Sequence, residues 1–586
     1  MDSNEEEQRR GITMKSSAIA LRHLYTPKEQ SSVDPQQMVI HLIDSPGHVD
    51  FNSEVSSALL ACDGAILVVD AVEGMCARTH SVLREAHSKQ LVPLLVINKL
   101  DRLHTELALT PTDAYIRIRE LIENVNAAAA GILITAKQQQ STQEEEQDEN
   151  EEQQEEVWNF DPCKGNVIFC SALHGWGFTI PTLSRSLFRS KVFIPSVKPP
   201  QIRQVLFGDV RYNLQTQKLI KWRPQPHSAI STSTGDSNGN EPMFAQYALR
   251  PLWNIYENVS NAAAAAASSS TTISKMTSIT PGMDLVLSEI QIGSTTISSD
   301  GVPKSSAEMQ GIFLKLGASS EESIIRAILR RYRPLSDAVL DSVCAVLPPP
   351  SKVKRTALTM KKNPIATSLN FGKLELAIKQ CDATTGSPTV AHVCKFLTVK
   401  QCDISDPERT RPLSTATKNH PEDIDDSKSN NNGDILVALV RVLSGTLQTT
   451  HGDSNIEFEV YGPKYDSSSP PLRVKSETLK LYLIMGATLI RVKSIPAGHI
   501  CAVSNLSELQ LKTLTLCDTA GGMPLQGFET LTRPLVKVNV EAARASDTNI
   551  LERGLQRLSL ADAAVEVTAT SKGERILAFL GEMDLE

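Results

Sequence analysis

The sequence predicts a multidomain protein: an α/β domain on a doubly wound parallel sheet, then a β-barrel, then the first part of an α+β module. Three observations predict this order. Between residues 39 and 173, short apolar runs alternate with helical patterns, as in a mainly parallel sheet with crossover helices. From residue 389 the apolar period changes to two, in short runs separated by Gly and Asp turns, the pattern of a barrel. After Arg533-Pro534 the order is strand, helix, strand, strand, the beginning of a split-βαβ unit.

The 586 residues suffice for about three to five domains. Apolar residues at 41% and charged residues at 22% suit a globular protein diluted by polar segments. A net charge of −8 excludes a simple nucleic-acid coat, so any RNA contact has to come from local patches. The ten cysteines are scattered without a C-x-x-C pair, which argues for reduced thiols in the cytosol or nucleus rather than a disulfide framework or zinc site. The acidic start (Asp2, Glu5, Glu6, Glu7) has no secretory signal, and no apolar run approaches membrane-spanning length.

In the α/β part, Gly11 to Leu21 leads from a small polar loop into an edge strand, and Val39 to Ile43 reads as a buried strand. Residues 49–62 carry a helical face of Val55, Ala58, Leu59 and Cys62. Ala65 to Ala71 is a β-branched run predicting a strand covered on both faces, followed by a helix over about 77–89. Val92 to Ile97, a helix over about 110–126, and Asn166 to Cys170 complete the alternation. Residues 138–156 are Gln- and Glu-dense, with nine carboxylates between Glu144 and Glu156, and read as a disordered surface insertion.

From 201 to 325 the pattern weakens to strand-like pieces at Gln204–Val210 and Leu219–Trp222, a polar loop at 228–240 and an Ala/Ser tract at 262–272. A helix over about 320–331 leads to Pro334, and a second over 336–347 stops against Pro348-Pro349-Pro350. Residues 351–388, basic at first, read as a connector. The barrel runs are Val390–Thr398, Asp434–Leu443, Ile456–Tyr461, Leu479–Met485, Ala487–Val492 and Ile500–Val503, interrupted by a disordered Pro/Asp/Ser/Asn-rich insertion at 403–433. The last module comprises Leu535–Glu541, a helix Asp547–Leu560 with Leu551, Leu555 and Leu558 on one face, Val565–Thr570 and Glu574–Leu580.

The chemistry gathers at the carboxyl ends of the predicted strands, which would place it along one rim, where open α/β sheets bind ligands. Asp44-Ser45-Pro46-Gly47-His48 follows the first run. It reads either as a phosphate-sensing switch or as an ordinary turn with an exposed histidine. Asn98-Lys99-Leu100-Asp101 follows a later strand, 54 positions after Asp44. Telling guanine from adenine needs a carboxylate that accepts from N1–H and the 2-amino group, which suits Asp101. Asn98 would read the opposite edge of the base, with the Lys99 stem against its plane. Ser171-Ala172 would contact O6 of the base. No G-x-x-x-x-G-K-[ST] phosphate loop occurs anywhere in the sequence. Without its anion site, tight nucleotide binding is not expected of these 586 residues.

Together these motifs resemble the translational GTPases, in the branch of translation elongation factor 2. The resemblance rests on Asp44 to Phe51 with Ser53-Glu54-Val55, on Asn98 to Arg102, and on Ser171 to Trp176. It continues through Leu443-Ser444-Gly445, Met485-Gly486 and Ile495 to Gly498, as far as Gly581-Glu582. Arg10 to Ile19, Val96 to Leu103, Glu106 to Tyr115 and the two insertions look more like the elongation factor-like GTPases of ribosome maturation than the elongation factor itself. The resemblance implies a P-loop-type GTPase domain lacking its first strand and phosphate loop. On it, residues 1–200 are the GTPase core, 201–350 an insertion subdomain with closing helices, 351–388 a connector, 389–520 the barrel and 530–586 the start of a third domain. Met1-Asp2-Ser3 resembles an internal segment of the family, which implies a start assigned too late, and the third domain looks cut short.

By the same resemblance, Thr13 and Asp44 (through water) would serve Mg2+, Gly47 the γ-phosphate of GTP, and His48 the attacking water. Asn98, Lys99, Asp101, Ser171 and Ala172 would bind guanine. The implied partners are the large ribosomal subunit, the Shwachman-Bodian-Diamond syndrome protein and the anti-association initiation factor released with its help. A monomer acting in the cytoplasm without a membrane is implied. An elongation-factor translocase and a non-catalytic binding protein remain the alternatives.

Overall fold

The computed structural model describes residues 5–10, 13–26, 34–48, 51–140, 157–189, 199–213, 216, 218–223, 241–268, 321–352, 369–405, 434–449, 456–465, 470–519, 524–525, 536–562, 565–570 and 574–579. The chain divides into two compact units. One comprises Met1–Asp63, Glu85–Leu91 and Pro348–Glu586; the other comprises Gly64–Arg84 and Val92–Leu347.

In the first unit, β1 (Ser17–Tyr25) and β2 (Gln36–Asp44) form an antiparallel hairpin, with Ser17 opposite Asp44 and Tyr25 opposite Gln36. The apolar run of β2 predicts a buried strand of a parallel sheet, and here the structure differs. Among the described residues β2 pairs with β1 alone, and Val39 is 52% exposed. A parallel sheet is covered on both faces, whereas an antiparallel hairpin can keep one face in water. The helix Asn52–Leu60 follows. Beyond its end, Arg441 donates through Nη1 to the carbonyls of Ala61 and Cys62, each at 2.9 Å, and pairs with Asp63. A cation there meets the negative end of the helix dipole.

The second unit is built on a four-stranded sheet in the order β3 (Gly64–Asp70), β4 (Val92–Asn98), β5 (Val167–Ser171) and β6 (Trp176–Phe178). β3, β4 and β5 are parallel, as the alternation predicts, and β6 turns back antiparallel to β5. β4 is the core strand, with Leu94, Leu95 and Ile97 fully buried, each worth about 1.5–3 kcal/mol. The helix Leu335–Val346 lays Leu335, Ala338, Val339, Val343 and Val346 over Leu94, Val96, Ile168 and Cys170. β3 is an edge strand and departs from the expected double cover, since Val68 is 57% exposed.

Helices Ala77–Ser88 and Pro111–Gln140 stand where the pattern predicts them, the second continuing past 126 into the start of the expected insertion. Residues 141–156 of that insertion lie outside the described residues. Gln204–Val210 is not a strand. Pro199–Leu206 is helical and only β7 (Val210–Asn213) is extended, paired with β8 (Lys218–Lys221). Prolines at the first helical positions and the burial of Ile202 and Leu206 four residues apart account for the helix. The helix Arg250–Ser268 runs into the Ala/Ser tract, alanine being the strongest helix former. Glu321–Tyr332 and Leu335–Val346 are the two expected helices before the triple proline. The 228–240 loop lies outside the described residues.

The remainder of the first unit is a large, mainly antiparallel sheet where the barrel is expected. Its strands are β9 (Val390–Lys400), β10 (Ile404–Ser405), β11 (Asp434–Ser444), β13 (Glu457–Tyr461), β14 (Leu472–Lys475), β15 (Lys480–Met485), β16 (Thr488–Val492), β18 (Ile500–Ser504) and β19 (Leu514–Cys517). A separate pair joins β12 (Thr446–Gln448) to β17 (Ser494–Pro496). The large sheet runs β10-β16-β15-β18-β11-β9-β19-β13-β14, with β1 attached to β15. One core gathers Phe396, Val440, Phe458, Leu481, Val503 and Leu516; another gathers Ala18, Leu60, Val437, Leu439, Ile484 and Ala502. The segment read as a connector contains the helix Leu369–Gln380, whose Leu374 and Ile378 pack on Val390, Leu443 and Cys517. Residues 406–433 of the second insertion lie outside the described residues.

The last three strands, β20 (Val536–Val540), β21 (Glu566–Ala569) and β22 (Arg575–Phe579), form an antiparallel sheet in the order β20-β22-β21. Its helix, Thr548–Ala561, buries Leu555 while Leu558 is 41% exposed, so the predicted apolar face is narrower than three leucines. Gly581-Glu582 lies outside the described residues.

Candidate functional site

The core strand β4 delivers Asn98 to its carboxyl end, and the chain there turns sharply. Lys99 adopts a left-handed backbone (φ 60°). Asn98 Oδ1 accepts from Lys99 N at 2.7 Å and from Ala172 N at 2.9 Å, so one carboxamide oxygen ties the β4 loop to the β5 loop. Its NH2 group has no partner among the described residues, and a donor is what the N7 edge of a purine requires.

Asp101 opens the short helix Asp101–Thr105 and is only 4% exposed. Its Oδ1 is buried without a hydrogen-bond partner, and its Oδ2 lies 3.8 Å from His174 Nδ1. A buried carboxylate oxygen without a donor costs about 1–3 kcal/mol or more. A ligand that presents N–H groups to this carboxylate removes that cost.

Ser171 and Ala172, expected at O6 of the base, bond within the loops around them. The Ser171 hydroxyl is fully buried and accepts from His174 N at 3.2 Å, while the Ala172 N–H is engaged by Asn98. Ser171 supports the loop from inside, and Ala172 lies exposed on it.

Asp70, at the end of β3, organises the same loop from the other side. Its Oδ2 lies 2.9 Å from both Lys99 Nζ and Arg102 Nη1, and its Oδ1 accepts from Val72 N at 2.8 Å. Burial would raise the Asp70 carboxyl, but the Lys99 and backbone hydrogen bonds outweigh it and hold it below the usual carboxylate value.

In the first unit, the register of β1 on β2 sets Ser17 against Asp44, so Thr13, four residues before Ser17, approaches the same end of the hairpin. Glu7, itself buried, accepts from Met14 N and Lys15 N, each at 2.9 Å, and so fixes the loop after Thr13. Glu54 accepts from Ser16 N at 3.2 Å and Ser16 Oγ at 3.1 Å, and it pairs with Lys395 of β9. Gly47 and His48 are exposed; the His48 ring is tilted on Phe51 with centroids 6.1 Å apart, and a Cβ on Gly47 would meet nothing within 4 Å. Thr13, Asp44, Gly47 and His48 thus share one end of the hairpin in the first unit. Asn98, Lys99, Asp101, Ser171 and Ala172 share one sheet edge in the second.

Residues 1–233 match the family model of the elongation factor Tu GTP binding domain. The chain carries a translational GTPase domain. Over its whole length it is 30% identical to ribosome assembly protein 1 of Schizosaccharomyces pombe, covering 56% of that protein. It is 29% identical to elongation factor-like GTPase 1 of Homo sapiens, covering 55%, and 28% identical to ribosome assembly protein 1 of Saccharomyces cerevisiae, covering 61%. The chain therefore spans a little over half the length of these relatives. No helix among the described residues is long and apolar enough to cross a membrane.

Three residues carry weight that the motif reading misses: Asp70, Glu54, and Tyr256, whose hydroxyl lies 2.9 Å from His174 Nδ1. Asp70 ends a strand, as Asn98 does, and that placement was its signal. Glu54 reads as a polar helix residue until Lys395, 341 positions later, is brought to it. Tyr256 lies in a stretch without a clear pattern, and nothing in the sequence points to it.

Proposed function

We propose that this chain belongs to a ribosome assembly factor that hydrolyses GTP. It acts on the large ribosomal subunit in the cytoplasm and couples hydrolysis of GTP to GDP and phosphate to release of an anti-association initiation factor. The observation that carries the nucleotide reading is the buried Oδ1 of Asp101, unpartnered among the described residues, in the same loop as the Asn98 NH2. Asp101 accepts the two N–H donors of guanine, Asn98 donates to N7, and Lys99 lies along the base. Thr13 and Asp44 offer hydroxyl and carboxylate oxygens, the hard donors that suit Mg2+. Magnesium, when bound, neutralises phosphate charge. Gly47 leaves room for the γ-phosphate, and His48 orients the water that attacks it. The names of the relatives support the ribosomal part of the reading, and the resemblance adds the Shwachman-Bodian-Diamond syndrome protein as a partner.

The test is a competition of GDP, ADP and xanthosine diphosphate for the chain, with ligands taken to millimolar concentration. Guanine is expected to win. Asp101→Asn replaces an acceptor by an amide that can donate to the C2 carbonyl of xanthine. It should therefore shift preference from guanine toward xanthine by on the order of a hundredfold. Equal affinity for GDP and ADP sinks the reading. For the ribosomal part, large subunits should stimulate GTP hydrolysis in the presence of the Shwachman-Bodian-Diamond syndrome protein and discharge the bound initiation factor.

A further inference from the structure

Behind Asp101 stands a file of buried polar groups that base recognition as described does not use. The Trp176 indole Nε1 donates to the Tyr256 hydroxyl at 3.0 Å, and that hydroxyl lies 2.9 Å from His174 Nδ1. Nδ1 is also 3.4 Å from Ser171 Oγ and 3.8 Å from Asp101 Oδ2. None of the five residues is more than 5% exposed. Tyr256 comes from the helix Arg250–Ser268, Asp101 from the start of the short helix after β4, Ser171 from the end of β5, His174 from the β5–β6 turn and Trp176 from the start of β6.

Chemistry gives the file a direction. An indole N–H can only donate, so the Tyr256 oxygen accepts from Trp176, which leaves its O–H to donate toward Nδ1. An Nδ1 that accepts belongs to a neutral ring with its proton on Nε2. If Nδ1 carried a proton instead, it would turn a donor toward Asp101 and compete with a base for the carboxylate.

We propose that Tyr256 and His174 are positioning residues for guanine. Tyr256, aimed by Trp176, keeps His174 an acceptor at Nδ1, and Asp101 thereby keeps both oxygens for the N1–H and 2-amino groups. The inference rests on the base-binding reading of Asp101 above. It gives the helix Arg250–Ser268 a share in nucleotide specificity.

The charges around His174 work against one another. Burial is the largest influence and pushes the ring below its usual value; the Asp101 and Glu322 carboxylates pull it up, and Arg326 pushes it down. Burial also keeps the Tyr256 hydroxyl protonated, and the His104 ring, itself held low by burial, lies 5.9 Å from the Tyr256 ring. Loss of the Tyr256 hydroxyl removes the donor to Nδ1 and leaves the carboxylates to draw a proton there.

The experiment uses the 586-residue chain with ring-labelled histidine, assigned through His174→Gln, and follows the His174 resonance and GDP affinity between about pH 5.5 and pH 8.5. In the parent chain His174 should stay neutral and GDP affinity should be flat. Tyr256→Phe should make His174 titrate within the window, with GDP affinity falling roughly five- to tenfold at the acid end and recovering at the alkaline end. Tyr256→Phe/His174→Gln should be flat again. A purely structural role would lower the melting temperature without tilting the pH profile. If the parent binds GDP and Tyr256→Phe leaves both the titration and the profile unchanged, the positioning role is overturned. If the parent does not prefer GDP to ADP, the reading of Asp101 falls and takes this inference with it.

Discussion

Glu54 and Lys395 form a buried ion pair between the helix that follows His48 and β9, the strand around which the large sheet is ordered. The same carboxylate also receives the backbone and hydroxyl of Ser16. The segment after Thr13, the helix after His48 and the sheet therefore meet on one side chain. Burial would raise the Glu54 carboxyl, but Lys395 and Ser16 hold it below its ordinary value of 4.5.

Removing one partner of this pair strands the other. Lys395→Met should lower unfolding stability by about 3–5 kcal/mol, because the carboxylate stays buried without its cation. Glu54→Gln/Lys395→Met should recover most of that loss. Urea midpoints of the two single variants and the double variant measure the coupling. Because the folded value is depressed, the contribution of Glu54 is present above about pH 4.5 and disappears as the pH falls through the folded value.

His41 of β2 lies 3.0 Å from His499, ring nitrogen to ring nitrogen, in an edge-on pair. Burial, then His499 and Arg441, lower His41 from 6.5 to about 4, and burial lowers His499. The unfolded chain thus binds more protons than the folded chain between about pH 4 and pH 6.5, so stability should rise with pH across that window. The gain from His41 should be about 1–3 kcal/mol. His41→Gln should flatten the dependence of the urea midpoint on pH over that range.

Asp70→Asn releases Lys99 and Arg102 together. Lys99 is half exposed, so melting should shift little, by less than about 1 kcal/mol equivalent. Dissociation of GDP should quicken by roughly tenfold, because the left-handed turn at Lys99 loses its tether. A melting shift without a change in nucleotide exchange would show that Asp70 serves the fold alone.

Gly47 faces open space, so Gly47→Ala should leave the melting temperature unchanged. If Gly47 meets the γ-phosphate, the added methyl should erase any preference for GTP over GDP. His48→Ala, in an exposed position, should keep nucleotide affinity and abolish ribosome-stimulated hydrolysis. Stimulated turnover that persists in His48→Ala would remove this histidine from the mechanism.

The sequence was most readable where a local signal suffices. The period-two runs from Val390 to Val503 located six strands of the large sheet to within a few residues, because alternation survives any partner. The Asn98 to Asp101 loop was legible because a buried strand must end where its polar residues begin. Partnership was not legible. The apolar run of Val39 to Ile43 says that the segment is extended, but not that β1 is its neighbour or that Val39 stays wet. The bond from His174 N to the Ser171 hydroxyl was not legible either, since it exists only once the loop folds back. Tyr256 could not be found at all, since its role exists only once its helix reaches Trp176.

The helix Asn52–Leu60 is held near both ends: Glu54 in its first turn on Lys395 of β9, and the carbonyls just past its last turn on Arg441 of β11. β9 and β11 are neighbours in the sheet, with Arg441 paired across from His392. Mechanically the helix is a beam on two supports, and neither support yields without exposing or orphaning a buried charge. A force applied at Asp44–His48 cannot simply swing such a beam. It reaches the sheet through two supports, on the adjacent strands β9 and β11.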